Sequence, residues 1–264
     1  MSYGGTRIPP HNRKGACRKL STYGCARCIS TRRLRIVFAS QRDNPNATNL
    51  YWKRADGTGD VERLTESEFH QRPRSWHPSG KFLAFEERNA TSTDVLILPI
   101  EGNERSGWKP GQPTIFLDGP FAELQPSFSP DGQFLAYASN ESGRFDVFVR
   151  SFPGRGGKWL ISTDGGMWPT WSQNGEELFY RTADQTRIMV ATYIIEGETF
   201  RAEKPRLWSE GRFARTGSRN FDLHPDGDRF AVLVTDDALV QSKQDKVTFV
   251  FNFFEELERI APAK

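Results

Sequence analysis

One short phrase is written four times along this 264-residue chain, and recurrence at near-regular intervals narrows the possible folds more than any single element can. A proline leads to an aromatic or apolar residue, then to a turn closed by glycine, then to an alternating run. The copies are Arg72 to Phe85, Gln125 to Tyr137, Trp168 to Tyr180 and Asn220 to Val232. Their turn glycines, Gly80, Gly132, Gly175 and Gly227, lie 52, 43 and 52 residues apart. Proline and aspartate pre-set such turns, and glycine supplies the positive φ that a tight hairpin needs at its end. Three residues past each glycine stand Leu83, Leu135, Leu178 and Phe230, and two further on stand Phe85, Tyr137, Tyr180 and Val232. One face of each strand is therefore apolar. Between them sit Ala84, Ala136 and Ala231, with Phe179 as the departure, which predicts strands sandwiched between neighbouring sheets.

Third strands are predicted from Asp94 and Asp146, each 14 residues past its glycine, with Ile188 to Tyr193 a looser example. Fourth strands follow at Thr114 to Leu117, Lys158 to Ile161 and Arg206 to Trp208. Four short strands in about 45 residues are the blade unit of a β-propeller. An earlier unit supplies second, third and fourth strands at Leu34 to Ala39, Asn49 to Lys53 and Val61 to Leu64. Its first strand has no recognisable sequence, and Arg33 stands where the turn glycine belongs. A last unit is expected at Arg219 to Leu223, Arg229 to Thr235 and Lys246 to Phe253, followed by a short amphipathic helix with Phe253, Leu257 and Ile260 on one face. The expected fold is all-β: a propeller of about five four-stranded blades over residues 34–264, first and last incomplete, with a short C-terminal helix. Residues of the preceding segment are expected to supply the strand that the last blade lacks.

That segment, residues 1–33, is a basic, cysteine-containing leader expected to be poorly ordered. It holds eight Lys or Arg and no acid, so 28 basic residues face 33 acidic ones in the remainder, a net of −5. Nucleic-acid binding by the body loses its electrostatic basis. Cys17, Cys25 and Cys28 all lie in the leader, leaving no disulfide framework in the 236 residues after Cys28. Cys25-Ala-Arg-Cys28, with Cys17 and His11, forms one ligand pair where a zinc site needs two, so no metal and no cofactor are expected. No uninterrupted apolar run marks a secretory signal, and none approaches the roughly 20 residues of a membrane helix. A cytoplasmic address is expected for the chain as it stands, a periplasmic one if an export segment precedes it, and no membrane contact in either case.

The run from Pro126 to Tyr137, followed by Ser139-Asn-Glu-Ser-Gly-Arg-Phe-Asp-Val-Phe-Val149, resembles the repeat of TolB-like, WD-type propellers. Ser40 to Asp43 with Asn49 to Tyr51 looks like the same repeat, and the likeness extends over residues 34 to about 254. The tail from Thr248 to Arg259 resembles the end of propellers at the C-terminus of bacterial Ser/Thr kinases and regulators. The resemblance implies an interaction or sensory module whose chemistry resides in other domains, with a protein, a peptide or a small polar ligand as partner. The family's familiar members have six blades, one more than is countable here.

Catalytic signatures are sparse: no nucleophile elbow, no His-Glu-x-x-His, no Walker loop and no dinucleotide fingerprint. A triad would have to use one of four histidines, and His77 and His224 precede turn prolines, where a turn role is expected. Ser106-Gly-Trp-Lys109 has the spacing of a serine–lysine pair, but its glycines and proline predict a loop between strands. The sequons at Asn46, Asn89 and Asn140 are expected to be turn residues, and Trp76 and Trp171, at one offset before their glycines, to pack between blades. A ligand is expected at the channel mouth, where the residues entering each first strand converge. These are His70 and Arg72, Glu123 and Gln125, Trp168 beside Met167, and Arg219 and Asn220. The competing function is a serine-type hydrolase, an esterase or peptidase, built on that mouth, with catalytic residues unknown.

Overall fold

The computed structural model describes residues 27–29, 35–103, 106–154, 156–197, 199–211, 219, 221–224 and 229–232. Blade I comprises β1 (Arg27–Ile29), β2 (Arg35–Ser40), β3 (Asn49–Arg54) and β4 (Glu62–Arg63). Blade II comprises β5 (His70–Trp76), β6 (Phe82–Arg88), β7 (Thr93–Asn103), β8 (Gly107–Pro110) and β9 (Thr114–Leu117). Blade III holds β10 (Glu123–Phe128), β11 (Phe134–Ser139), β12 (Asp146–Ser151) and β13 (Lys158–Leu160). Blade IV holds β14 (Met167–Trp171), β15 (Glu177–Arg181), β16 (Arg187–Glu196), β17 (Thr199–Ala202) and β18 (Arg206–Glu210). Blade V begins with β19 (Phe221–Leu223) and β20 (Phe230–Val232). Each sheet is an antiparallel meander, and the first strand of one packs against the sheet before it.

The alternation read from the repeat maps onto this stacking. Leu83 and Phe85 face blade I, in a core with Val37, Leu50 and Trp52, whereas Ala84 faces blade III beside Phe128, Leu135 and Tyr137. One blade further, Leu135 and Tyr137 look back and Ala136 looks forward to Trp171, Leu178 and Tyr180. Phe179 takes the forward position in blade IV and meets the rings of Trp208 and Phe230 at 6.0 and 5.1 Å. A large residue there fills the joint to blade V that alanine fills elsewhere. Trp76 and Trp171 are buried in these joints, as their common offset predicts.

Three expectations need correction or extension. The Ser106 to Lys109 stretch is not a loop throughout: Gly107–Pro110 forms β8, paired with the far half of β7, because Gly102 at φ 86° and Gly107 at φ 78° make the hairpin turn. A strand also does not offer the helical turn that would bring Lys109 over Ser106. Blade I has a first strand after all: the backbone of Arg27–Ile29, on the leader side of residue 33, pairs with Phe38, Val37 and Ile36. Strand pairing is made by the backbone, so it does not require the proline and aromatic of the other copies. The third strands of blades II and IV are longer than predicted, since β7 pairs first with β9 and then with β8, and β16 with β18 and then with β17. The closing strand, the C-terminal helix and the cysteine and His11 side chains lie outside the described residues.

Candidate functional site

The first strands β5, β10 and β14 line up side by side, and each carries a bulge at its centre. In β10 and β14 the bulge puts Gln125 and Trp168 in the left-handed region, at φ 59° and 60°, a conformation that costs a residue with a Cβ about 1–2 kcal/mol. The kink aims a backbone donor at the blade before. Gln125 N–H donates to Glu86 Oε1 (2.6 Å), and Trp168 N–H donates to Gln125 Oε1 (2.7 Å). In β5 the bulge begins at Pro73, which has no N–H to donate and a fixed negative φ, and the neighbouring Arg74 engages Glu86 within blade II instead. Its Nη2 donates to Glu86 Oε2 (2.7 Å), and its guanidinium lies 5.6 Å from the Trp168 ring. Arg74, Glu86, Gln125 and Trp168 thus form a polar chain across blades II, III and IV.

Of the residues expected at the mouth, Gln125 and Trp168 are brought together, both buried, as links of that chain. His70 and Arg72 are exposed on β5, and His70 Nδ1 accepts the Thr48 N–H at 3.2 Å. Arg219 is exposed, with Nη2 donating to Asp222 (2.7 Å) and Nε to the Phe221 carbonyl (3.0 Å). Glu123 is buried, and Asn220 lies outside the described residues. Arg72, Leu124, Met167 and Arg219 each stand four residues before Trp76, Phe128, Trp171 and Leu223, and all four are exposed or half-buried. This offset marks a set that stays exposed or half-buried, and it would have found Leu124.

Sequence reasoning missed Glu86, whose charge is hidden from solvent (3% exposed), and the loop-pinning role of the polar residues with which it began the third strands. Asn49 Oδ1 accepts from Arg63 and Ser67, and its Nδ2 donates to the Ser67 carbonyl at 3.0 Å. Asp146 accepts from Ser142 and Ser162 (2.6 Å each), Gly165 N–H (3.1 Å) and Arg144 (3.3 Å). Burial pushes the Asp146 carboxyl up, but those hydroxyl donors and Arg144 more than offset it and hold it below the usual range. Both residues pin the loop that leads to the next blade.

His77 is a staple between turns. Its Nδ1 meets Ser79 Oγ (2.7 Å) and accepts the Ser79 N–H (3.1 Å), while Nε2 lies 3.1 Å from the Gly132 carbonyl of the next blade. Phe82, Phe128 and Phe152 surround the ring at 5.0–5.5 Å. Burial lowers its pKa, and two acceptor contacts at Nδ1 fix the neutral form protonated at Nε2. Asn89 and Asn140 act in turns: Asn89 Oδ1 accepts the Thr91 and Ser92 N–H groups, and Asn140 Oδ1 that of Ala122. Among the described residues no group of three or more His, Cys, Asp or Glu is placed to hold a metal ion.

No protein-family model matches the sequence, and no curated protein matches it. Solved structures do. The TolB candidate of Agrobacterium tumefaciens is similar over 80% of this chain and 76% of its own, at 17% identity and a TM-score of 0.55. TolB of Acinetobacter baumannii is similar over 68% of this chain at 15% identity and a TM-score of 0.50, and a puromycin-hydrolyzing peptidase of Mycobacterium tuberculosis over 75% at 16% and 0.52. The chain spans 43% and 33% of those two proteins. At such identities the likeness concerns the fold, which is that of a TolB-like β-propeller.

Proposed function

We propose that this propeller is a non-catalytic interaction or ligand-sensing module that binds a peptide or small polar ligand at its channel mouth. The observation that carries the reading is the set Arg72, Leu124, Met167 and Arg219: equivalent positions on successive blades, chemically different, and not enclosed in the joints between sheets. Surrounding first-strand residues are committed to holding blades together, so variation at the four open positions changes the mouth without changing the scaffold. The setting suggested by the resemblance is a larger regulator whose chemistry lies in other domains. The test is a thermal-shift screen with acidic, basic, apolar and polar-neutral short peptides, repeated on Arg72→Ala and Leu124→Ser. A shift with one class, lost in those variants, supports the reading; no shift with any class overturns it.

A hydrolytic reading would start from the Ser79 Oγ–His77 Nδ1 contact. Against it, Nδ1 also accepts the Ser79 N–H, as in a side-chain turn, and Nε2 is held by the next blade. Hydrolysis of a p-nitrophenyl ester by the protein should be unaltered by Ser79→Ala. A loss of turnover in that variant would favour the hydrolase.

A further inference from the structure

Glu123 opens β10 on the rim of the mouth, beside the start of β7, where Ala122 bridges Thr93. Its residue surface is 5% exposed, and Oε2 is sealed from solvent without a hydrogen-bond partner among the described residues. Native proteins rarely leave a buried carboxyl oxygen without a donor, so the missing donor points to a group from outside the chain. Gly119 lies nearby, where a Cβ would stand 3.9 Å from Oε1, at ordinary contact. Asp94 from β7, Asp118 after β9 and Glu141 after β11 all act on this carboxyl with like charge. Lys158 on β13 acts the other way, but its ammonium is paired with Glu141 and lies 4.7 Å from the Phe148 ring. Two residues before Glu123, Phe121 is 39% exposed, and Phe69, at the corresponding place before β5, is 41% exposed. An aromatic surface beside a carboxylate in an acidic field suits a cation carried on an apolar stem.

We propose that this corner between blades II and III receives a lysine or arginine side chain of a partner peptide, the cationic head donating to Glu123 and the stem resting on Phe121. The proposal deepens the reading of the mouth as a binding site and rests on it. Burial first, then Asp94 and Glu141, push the Glu123 carboxyl up to about 7, so a bound cation must draw a proton off it near neutrality. Binding is therefore expected to tighten about ten-fold between pH 6 and pH 8, as the carboxylate fraction rises.

The experiment is calorimetric titration with acetyl-Gly-Lys-Gly-amide, with its Nε-acetyl-lysine counterpart and with n-butylammonium, at pH 6 and 8. The lysine peptide should bind at least about ten-fold more tightly than the acetylated one. Glu123→Gln, which keeps the shape and the neutral form favoured by burial, should abolish that difference while the protein stays folded. Gly119→Ala, whose added methyl makes ordinary contact near Oε1, should weaken binding without altering charge. Equal binding of both peptides, an unaffected Glu123→Gln variant, or no binding at all overturns the cationic site. Equal binding of n-butylammonium overturns the peptide as its source. The mouth reading survives each of these results if another peptide class binds and Arg72→Ala removes it, so the two proposals fail separately.

Discussion

At Gly132 the left-handed φ of 77° explains part of why the turn needs glycine, and the His77 ring explains the rest, because a Cβ at this position would collide with it. Gly132→Ala is therefore expected to cost more than the about 1–2 kcal/mol of the conformation alone, whereas Gly175→Ala, at φ 75° with only the Tyr193 hydroxyl 4.0 Å away, should cost that amount. Denaturant melts of the two variants make the comparison. The turn role of His77 was legible in its position before Pro78; its bond to a blade 55 residues away was not, since nothing local records a distant partner. Because folding lowers the pKa of His77, the unfolded chain takes up the proton first: its contribution is present above the ordinary value near 6.5 and lost as pH falls below it. Glu123 has the opposite sign. With a carboxyl raised to about 7 in the fold, stability is greatest below about 4.5 and falls as pH rises through 7. The melting temperature of Glu123→Gln relative to the parent should accordingly climb from pH 5 to pH 8, and a flat difference would remove the buried carboxyl from the account.

Among elements, strands were the legible part. The positions Leu83, Ala84 and Phe85 and their counterparts state which face meets which neighbour, since side chains alternate along a strand and both faces of sheets II, III and IV are covered. The ties between blades were hidden for two physical reasons. A left-handed glutamine or tryptophan has no sequence signature, and Glu86 reads as a surface residue until Arg74 and the Gln125 N–H are placed around it. The β8 hairpin was hidden because its glycines look like loop punctuation. Removing one partner of a buried, hydrogen-bonded ion pair leaves the other charge stranded, so Glu86→Ala should destabilise the protein by about 3–5 kcal/mol. The Arg74→Ala, Glu86→Ala double variant should lose less than the sum of the single ones, as measured by chemical denaturation. Additive losses would show that the two side chains act independently.

For the molecule as a whole, β1 means that the leader cannot be trimmed at an arbitrary residue. Deletion of residues 1–33 removes a strand paired with β2 and bares that edge, whereas deletion of residues 1–26 leaves the pairing intact. The longer deletion is expected to give the lower melting temperature, and equal values would make β1 dispensable. The blades share a plan, yet each of three junctions among the described residues is fastened by its own set of side chains. Thr48 and Gln71 join I to II through N–H···O=C and hydroxyl contacts; Glu86 and the Gln125 N–H, with His77 and the Gly132 carbonyl, join II to III; Gln125 and the Trp168 N–H, with Trp171 Nε1 on the Ser127 carbonyl, join III to IV. Each seam is a lock cut for one key. A propeller of this kind grows by duplicating a module, but once its seams have diverged the copies lose their interchangeability: exchanging blades II and III would keep the strands of both and mismatch the three seams I–II, II–III and III–IV, so the order of the repeats is itself part of the heritable information.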